Sequence, residues 1–256
     1  MRVMDKLGRR LLPFLRIISF AAAGLVLAPQ PAAPQTGAGA PARSLKIGII
    51  GSGRMGGSLG EFWAKAGHEV LFSSRHPEQL KDLVERVGPR ARAGTPREAA
   101  VFGEVILISV PYGALPQIGR DLAGVLAGKV VLDTGNPVPQ RDGPMAEEAA
   151  AKGTGVASAE FLPGVRLVRA FNAIGHSVLI KEAHRAGERV GIPLAGDDRE
   201  ALAIASRLVT DAGFDPVVVG PLARAKDFDR GSAVYVKGFT ARELRERLGL
   251  DPAPKP

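Results

Sequence analysis

The chain has 256 residues, 45% of them apolar, which suits one α/β domain with a real core and argues against wholesale disorder. It contains no cysteine, which excludes a disulfide framework, a thiolate metal site, a cysteine nucleophile and a lipoprotein-type anchor. Most of the +8 formal charge lies near the start, where Arg2, Lys6, Arg9, Arg10, Arg16, Arg43 and Lys46 face one acid, Asp5; with little basic excess on the body, nucleic acid is not an expected partner.

The first stretch, "MRVMDKLGRRLLPFLR", is basic, and Ile17 to Ala28 is an uncharged apolar run of 12 residues, followed by Pro, Ala and Gly. That run fits a signal-peptide core and falls short of the roughly 20 residues that span a bilayer. Ala40-Pro41-Ala42 offers an A-x-A cleavage site despite its proline. Arg9-Arg10-Leu11-Leu12 partly resembles a twin-arginine signal, from which Pro13 departs. The expectation is an exported, periplasmic or otherwise extracytoplasmic protein, folded around its nucleotide before export. A membrane anchor formed by the uncleaved leader, or a cytoplasmic protein translated from a later start, is the alternative. Residues 1–44 read as leader and linker, 45–236 as a nucleotide-binding domain with a C-terminal extension, and 237–256 as a terminal helix and tail. Nothing beyond the leader points to a membrane, and a homo-oligomer is compatible with the sequence.

From Leu45 strand and helix signals alternate. "LKIGII" is a short β-branched run ending in glycines; Met55 to Ala66 reads as a helix stopped by Gly67. "HEVLFS" is the second strand, and Pro77 to Val87 a helix with proline in its first turn. A weak strand at Arg90 to Ala93 precedes a helix opened by the capping box "TPRE" at Thr95. "VILISV" and "KVVLDT" are buried-type strands around a helix from Ala114 to Ala127. "VRLVRAF", "VGIPLAG" and "DPVVVG" are further strands. A second capping box, Asp197 to Glu200, opens a helix running to Ala212, and "TARELRERLGL" closes the series as an amphipathic helix. The alternation predicts a Rossmann-type, doubly wound, mainly parallel sheet with helices on both faces.

Gly51-Ser52-Gly53-Arg54-Met55-Gly56 fits G-x-G-x-x-G between a strand and a helix, the context in which that pattern binds a dinucleotide. Gly51 allows the turn, Gly53 lets the backbone approach a pyrophosphate, and Gly56 allows close helix packing. The amides of Ser52 to Met55 are expected to face the phosphates. About twenty residues on, "LFSSRHP" carries no acid for a ribose 2′-hydroxyl. Arg75 offers a bidentate fork for a 2′-phosphate, with the Ser73 and Ser74 hydroxyls as further donors. His76 is either an adenine neighbour or an exposed turn histidine. The cofactor predicted is NADP(H).

"KIGIIGSGRMGGSLGEFWAKAGHEVLFSSRHPE" resembles the NADPH-dependent coenzyme F-420 reductases and, equally, the cytosolic reductase domain of the six-transmembrane epithelial metalloreductases. The resemblance continues through "VILISVPYGALPQI", "VVLDTGNPV", "LVRAFNAIGHSVL", "PLAGDDREA" and "DAGFDPVVVGPLARAKDFD", about Leu45 to Tyr235. It implies that Val110 and Pro111 lie beside the nicotinamide ribose. It also implies that the turns Thr134 to Pro137 and Ala170 to Ile174 close the nicotinamide end, where a flavin-like partner stacks. Some relatives have a lysine one turn into the helix after Arg75; Gln79 stands at that place here, with Lys81 nearby.

Hydride transfer between NADPH and a stacked flavin or deazaflavin needs position and electrostatics from the protein more than a proton-transfer set. The sequence shows no Ser-His-Asp set, HExxH or paired-carboxylate motif, and no metal site is expected. The catalytic residue is therefore unassigned, with His176 the single candidate as proton donor or ring contact. Asn136, beside Pro137, and Asn172 are expected to hold the nicotinamide carboxamide or the acceptor ring, while Asp133 ends its strand structurally. The expected function is an NADP-dependent oxidoreductase whose small-molecule acceptor is F-420, FMN or FAD. An NADP-binding redox-sensing or interaction module without turnover, and a reductase of a small imine or carbonyl compound, are the alternatives. Pyrroline-carboxylate reductases and β-hydroxyacid dehydrogenases share the glycine turn but need a helical C-terminal domain, whereas strands here continue to about Val219.

Overall fold

One eight-stranded sheet organises the computed structural model, which describes residues 43–251. Strands β1 (Lys46–Ile50), β2 (Glu69–Ser73), β3 (Ala91–Gly94), β4 (Val105–Ile108), β5 (Val130–Asp133) and β6 (Arg166–Arg169) run parallel in the spatial order β3-β2-β1-β4-β5-β6. Strand β7 (Gly191–Gly196) pairs antiparallel to β6, and β8 (Asp215–Gly220) parallel to β7. The last two strands thus reverse a sheet that the sequence marks as mainly parallel. The chain stays at the end of the sheet where β6 stops, through α8 (His176–Glu182) and the turn at His184, and β7 enters from that end.

Period-two alternation builds a core on each face. Along β4, Val105 and Leu107 join a cluster with Ile47, Ile49, Trp63, Phe72 and Leu208, while Ile106 and Ile108 join Ile50, Tyr112, Leu122 and Val131 on the opposite face. Helices α1 (Arg54–Lys65) and α9 (Arg199–Asp211) belong to the first face, and Trp63 on α1 donates its indole N–H to Leu208 O on α9 at 2.8 Å. Helices α3 (Pro96–Phe102), α4 (Leu115–Leu126) and α7 (Thr154–Phe161) cover the second.

Three local differences from the sequence have identifiable causes. The segment Pro77–Leu80 is a 3₁₀ turn that feeds α2 (Lys81–Val87), consistent with its N-terminal proline. Thr95 does form a capping box with Glu98, but the box expected at Asp197 to Glu200 does not form. Asp198 caps α9 alone by accepting the Ala201 N–H, and Asp197 instead accepts the Leu222 N–H. Helices α5 (Pro139–Asp142), α6 (Pro144–Lys152) and α7 fill a stretch that carries no clear apolar stripe. The buried face of α7 is Thr154, Gly155, Ala157 and Ser158, too small and polar to read as a core pattern.

The terminal helix α10 (Ala241–Arg247) is capped by Thr240 and Glu243 and buries Leu244 in a cluster with Val217, Val219 and Phe228, so it is built into the domain through β8. The apolar run Ile17 to Ala28, the Arg9-Arg10 pair and the Ala40-Pro41-Ala42 site lie outside the described residues, as do residues 252–256. Among the described residues no helix is long and apolar enough to cross a membrane.

Candidate nucleotide site

A cavity of about 1020 Å³ opens at the carboxyl ends of β1, β2, β3 and β4. This is where the strand order reverses between β1 and β4, the position at which open α/β sheets bind ligands. Of the expected residues, Gly51, Ser52, Gly53, Ser73, Ser74, Arg75, Val110 and Pro111 line it.

Gly51 has φ +94°, and a Cβ there would sit 2.4 Å from Ser109 O, so the turn requires glycine. A Cβ on Gly56 would fall 2.1 Å from Gly51 O, so the helix could not lie this close to the strand. Gly53 differs: a Cβ there would meet no atom within 4 Å, because its free side faces open space. Helix α1 begins at Arg54 with no side-chain cap and no acid in its first turn, leaving its first amides for an anion. One expected amide is absent from that set, since Ser52 N–H donates to Ser73 O at 3.1 Å. The Ser52 Oγ, by contrast, is buried and without a partner in the cavity wall, and fits as a phosphate donor.

At the end of β2 the two serines separate. Ser73 is fully buried and donates its hydroxyl to Ile49 O at 2.6 Å, which removes it from the phosphate donors expected from the sequence. Ser74 Oγ accepts the His76 N–H at 3.1 Å and keeps its own hydrogen to give. Arg75 is exposed on the cavity wall with no ion pair among the described residues, and Gln79 lines the same wall. His76 is an exposed turn residue, 3.5 Å from Glu78. A second cation without an ion pair among the described residues, Arg97, stands in the first turn of α3 and lines the same cavity as Arg75. Its signal was available in "TPRE": the strand order places the helix after β3 next to the end of β2.

Arg54 and Met55 open α1 outside the cavity lining. Met55 packs on the core, and Arg54 donates to His176 Nδ1 at 3.1 Å. The other ring nitrogen of His176 lies 3.2 Å from Ser58 Oγ, so both nitrogens are engaged by α1. With Nδ1 facing a guanidinium, the proton on the neutral ring belongs to Nε2.

Asn136, Pro137 and Asn172 sit past the ends of β5 and β6, outside the lining of that cavity. Asn136 donates its amide to Asn172 O at 2.8 Å, and Asn172 donates to Asp229 Oδ1 at 3.3 Å. Those bonds orient both amides, and each Oδ1 is left buried without a partner. Both acceptors are thus fixed and without a donor among the described residues.

Beneath them lies an ionic network that the sequence did not announce. Arg169 is fully buried and bonds Asp133 at 2.6 Å, Gly135 O at 2.7 Å and Asp229 at 3.4 Å. Ser158 donates to Asp133 at 2.7 Å, and Thr154 N–H to Asp229 at 3.0 Å. Burial opposes the charge on Arg169, but Asp133 and Asp229 outweigh it and raise its pKa. Burial also pushes the Tyr112 phenol up to about 12, beside Ser158. At the rim, Asp142 accepts the N–H groups of Gly113 and Val138 at 3.1 and 2.9 Å, tying the loop after β4 to the loop after β5. The Arg141 guanidinium holds the Asp142 carboxyl down at about 2. Among the described residues no group of His, Asp and Glu could hold a metal ion.

The free helix amides, the unpartnered Ser52 hydroxyl, the two free arginines and the open side of Gly53 fit a phosphorylated dinucleotide. Comparison with known proteins agrees. Residues 46–137 match the family described as NADP oxidoreductase, coenzyme F420-dependent. An F420-dependent NADP reductase of Methanothermobacter marburgensis is 30% identical over 200 residues, covering 73% of this chain and 88% of the relative. Metalloreductase STEAP3 of Rattus norvegicus is 30% identical over 195 residues, 74% of this chain, which spans only 36% of that protein's length. Among solved structures, the hypothetical protein SMa0349 of Sinorhizobium meliloti superimposes with a TM-score of 0.68 at 23% identity, over 77% of this chain and 96% of its own.

Proposed function

This chain belongs to the coenzyme F420-dependent NADP oxidoreductase family, and from that premise we propose that it passes hydride between NADP(H) and a flavin or deazaflavin acceptor of the F420 type. It is an NADP-dependent oxidoreductase with a Rossmann-type fold. The finer assignment, the acceptor, is supported by one feature of the site. Asn136 and Asn172 present two buried, fixed carbonyl oxygens without donors at the ends of β5 and β6. A nicotinamide carboxamide offers N–H donors to one, and the imide N–H of a flavin-like ring suits the other.

NADP(H), when bound, supplies or accepts the hydride at its nicotinamide ring. The chain's own residues do the rest. Gly53 and the first amides of α1 take the pyrophosphate, Arg75 and Arg97 take the 2′-phosphate, and Val110 with Pro111 forms the cavity wall past β4. Held ring positions are what such a transfer requires of the protein.

The test mixes the purified protein with NADPH and, separately, F420, FMN, FAD, ferric chelate and a cyclic imine, following absorbance of NADPH. Oxidation with F420 or a flavin, and not with the chelate or the imine, is the expected result. Tight NADPH binding without oxidation by any acceptor would sink the proposal in favour of a binding module.

A further inference from the structure

The network under the asparagines is not balanced in charge. One guanidinium, Arg169, is shared by two carboxylates, Asp133 and Asp229. Their other partners are neutral donors: the Gly135 and Thr154 N–H groups, the Ser158 hydroxyl and the Asn172 amide. The nearby Arg141, which donates to Asn136 O, is already paired with Asp142. The cluster is formally an anion. Arg169 and Asp133 are fully buried and Asp229 is 9% exposed, so water screens this charge weakly.

Asn172 links that anion to the ligand side. Its nitrogen faces Asp229, and its orphaned Oδ1 is the acceptor left for a ligand. The position of the cluster also follows from topology. A dinucleotide laid across the reversal point, with its adenosine end at Arg75 past the end of β2, extends toward β5 and β6.

We propose that this buried anion makes the nicotinamide site favour the oxidised, positively charged ring over the reduced, neutral one, and that Asp229 is its positioning residue, acting through Asn172. The inference rests on the reading that the nicotinamide lies at the ends of β5 and β6. A site that stabilises the oxidised ring makes bound NADPH the stronger hydride donor. No acid or base is needed for that effect. The charge itself supplies it, because a weakly screened unit charge acts over several ångströms.

The test is the replacement Asp229→Asn, close in shape and without the charge, read by binding titrations with NADP⁺, NADPH and 2′,5′-ADP. Affinity for NADP⁺ is expected to fall about tenfold relative to that for NADPH, while 2′,5′-ADP, which carries no nicotinamide, keeps its affinity. An equal change for NADP⁺ and NADPH, as a purely structural role would give, overturns the proposal. If the variant does not fold, the wild-type protein decides: the potential of the bound NADP couple lies below that of the free couple, and a bound potential at or above it overturns the idea. These measurements need no acceptor, so failure of the acceptor panel leaves them standing. Should the wild type bind 2′,5′-ADP as tightly as both full nucleotides, the nicotinamide makes no contact here, and this inference falls together with the placement it rests on.

Discussion

Arg169 Nη1 and Asp133 Oδ2 lie 2.6 Å apart at the ends of two adjacent parallel strands, and neither side chain reaches solvent. Removing one partner of such a pair strands a charge in a low-dielectric interior, at a cost of about 3–5 kcal/mol. Arg169→Met, which leaves Asp133 and Asp229 without their cation, is expected to lose stability in that range by urea unfolding. The triple replacement Asp133→Leu/Arg169→Met/Asp229→Asn leaves no charge in the cluster and should lose less than Arg169→Met alone. A triple variant worse than the single would mean that the network is a net source of stability.

Arg75 and Arg97 line the cavity from the ends of β2 and β3, and neither has an ion pair among the described residues. Two cations on one cavity wall disfavour each other, which a dianionic 2′-phosphate bound between them would reverse. Arg75→Ala is expected to weaken NADPH binding by about 1–3 kcal/mol more than NADH binding, as the loss of a charge-assisted pair implies. Arg97→Ala should act in the same direction. Calorimetric titration with both nucleotides checks this, and equal losses for NADPH and NADH in either variant would remove that arginine from the phosphate site.

The strand and helix order was readable because β1, β4 and β5 are short apolar runs rich in β-branched residues and the glycine turn follows β1 directly. Arg75 was readable for a chemical reason, the lack of an acid where a free ribose needs one. Ser73 was misread because a sequence does not say which way a strand residue points; its hydroxyl turns into the sheet toward Ile49. The reversal at β7 was hidden as well, since "VGIPLAG" has the composition of a buried strand in either direction. Arg169 and Asp229 are separated by 60 residues, and only the folded chain brings them onto one carboxylate pair with Asp133. Within "LVRAF" the arginine alternates with Val168, which hides its burial behind an ordinary strand pattern.

Strong acid should loosen the rim. Asp142 has its pKa lowered to about 2, by Arg141 first and then by the Val138 and Gly113 N–H groups. An unfolded aspartate titrates near 3.9. The folded value is the lower one, so the contribution of Asp142 is complete above about pH 4 and is lost as pH falls toward about 2. Thermal melts of the wild type should therefore decline across that window more steeply than those of Asp142→Asn, which lacks the linkage and starts less stable. Parallel pH slopes in the two proteins would show that Asp142 does not carry it.

His176 meets α1 through both ring nitrogens, at 3.1 Å from Arg54 and 3.2 Å from Ser58. A histidine so engaged orients Arg54 beside the glycine turn and has no free nitrogen to give or take a substrate proton. His176→Ala is then expected to raise KM for NADPH, by the value of one modest hydrogen bond, about 0.5–1.5 kcal/mol. The pH profile of kcat should keep its shape, because removal of a proton donor would instead erase one limb and cost about a hundredfold or more in kcat. Steady-state kinetics across pH, with the acceptor that oxidises NADPH, separates the two. A lost limb with KM unchanged would reinstate His176 as the catalytic acid.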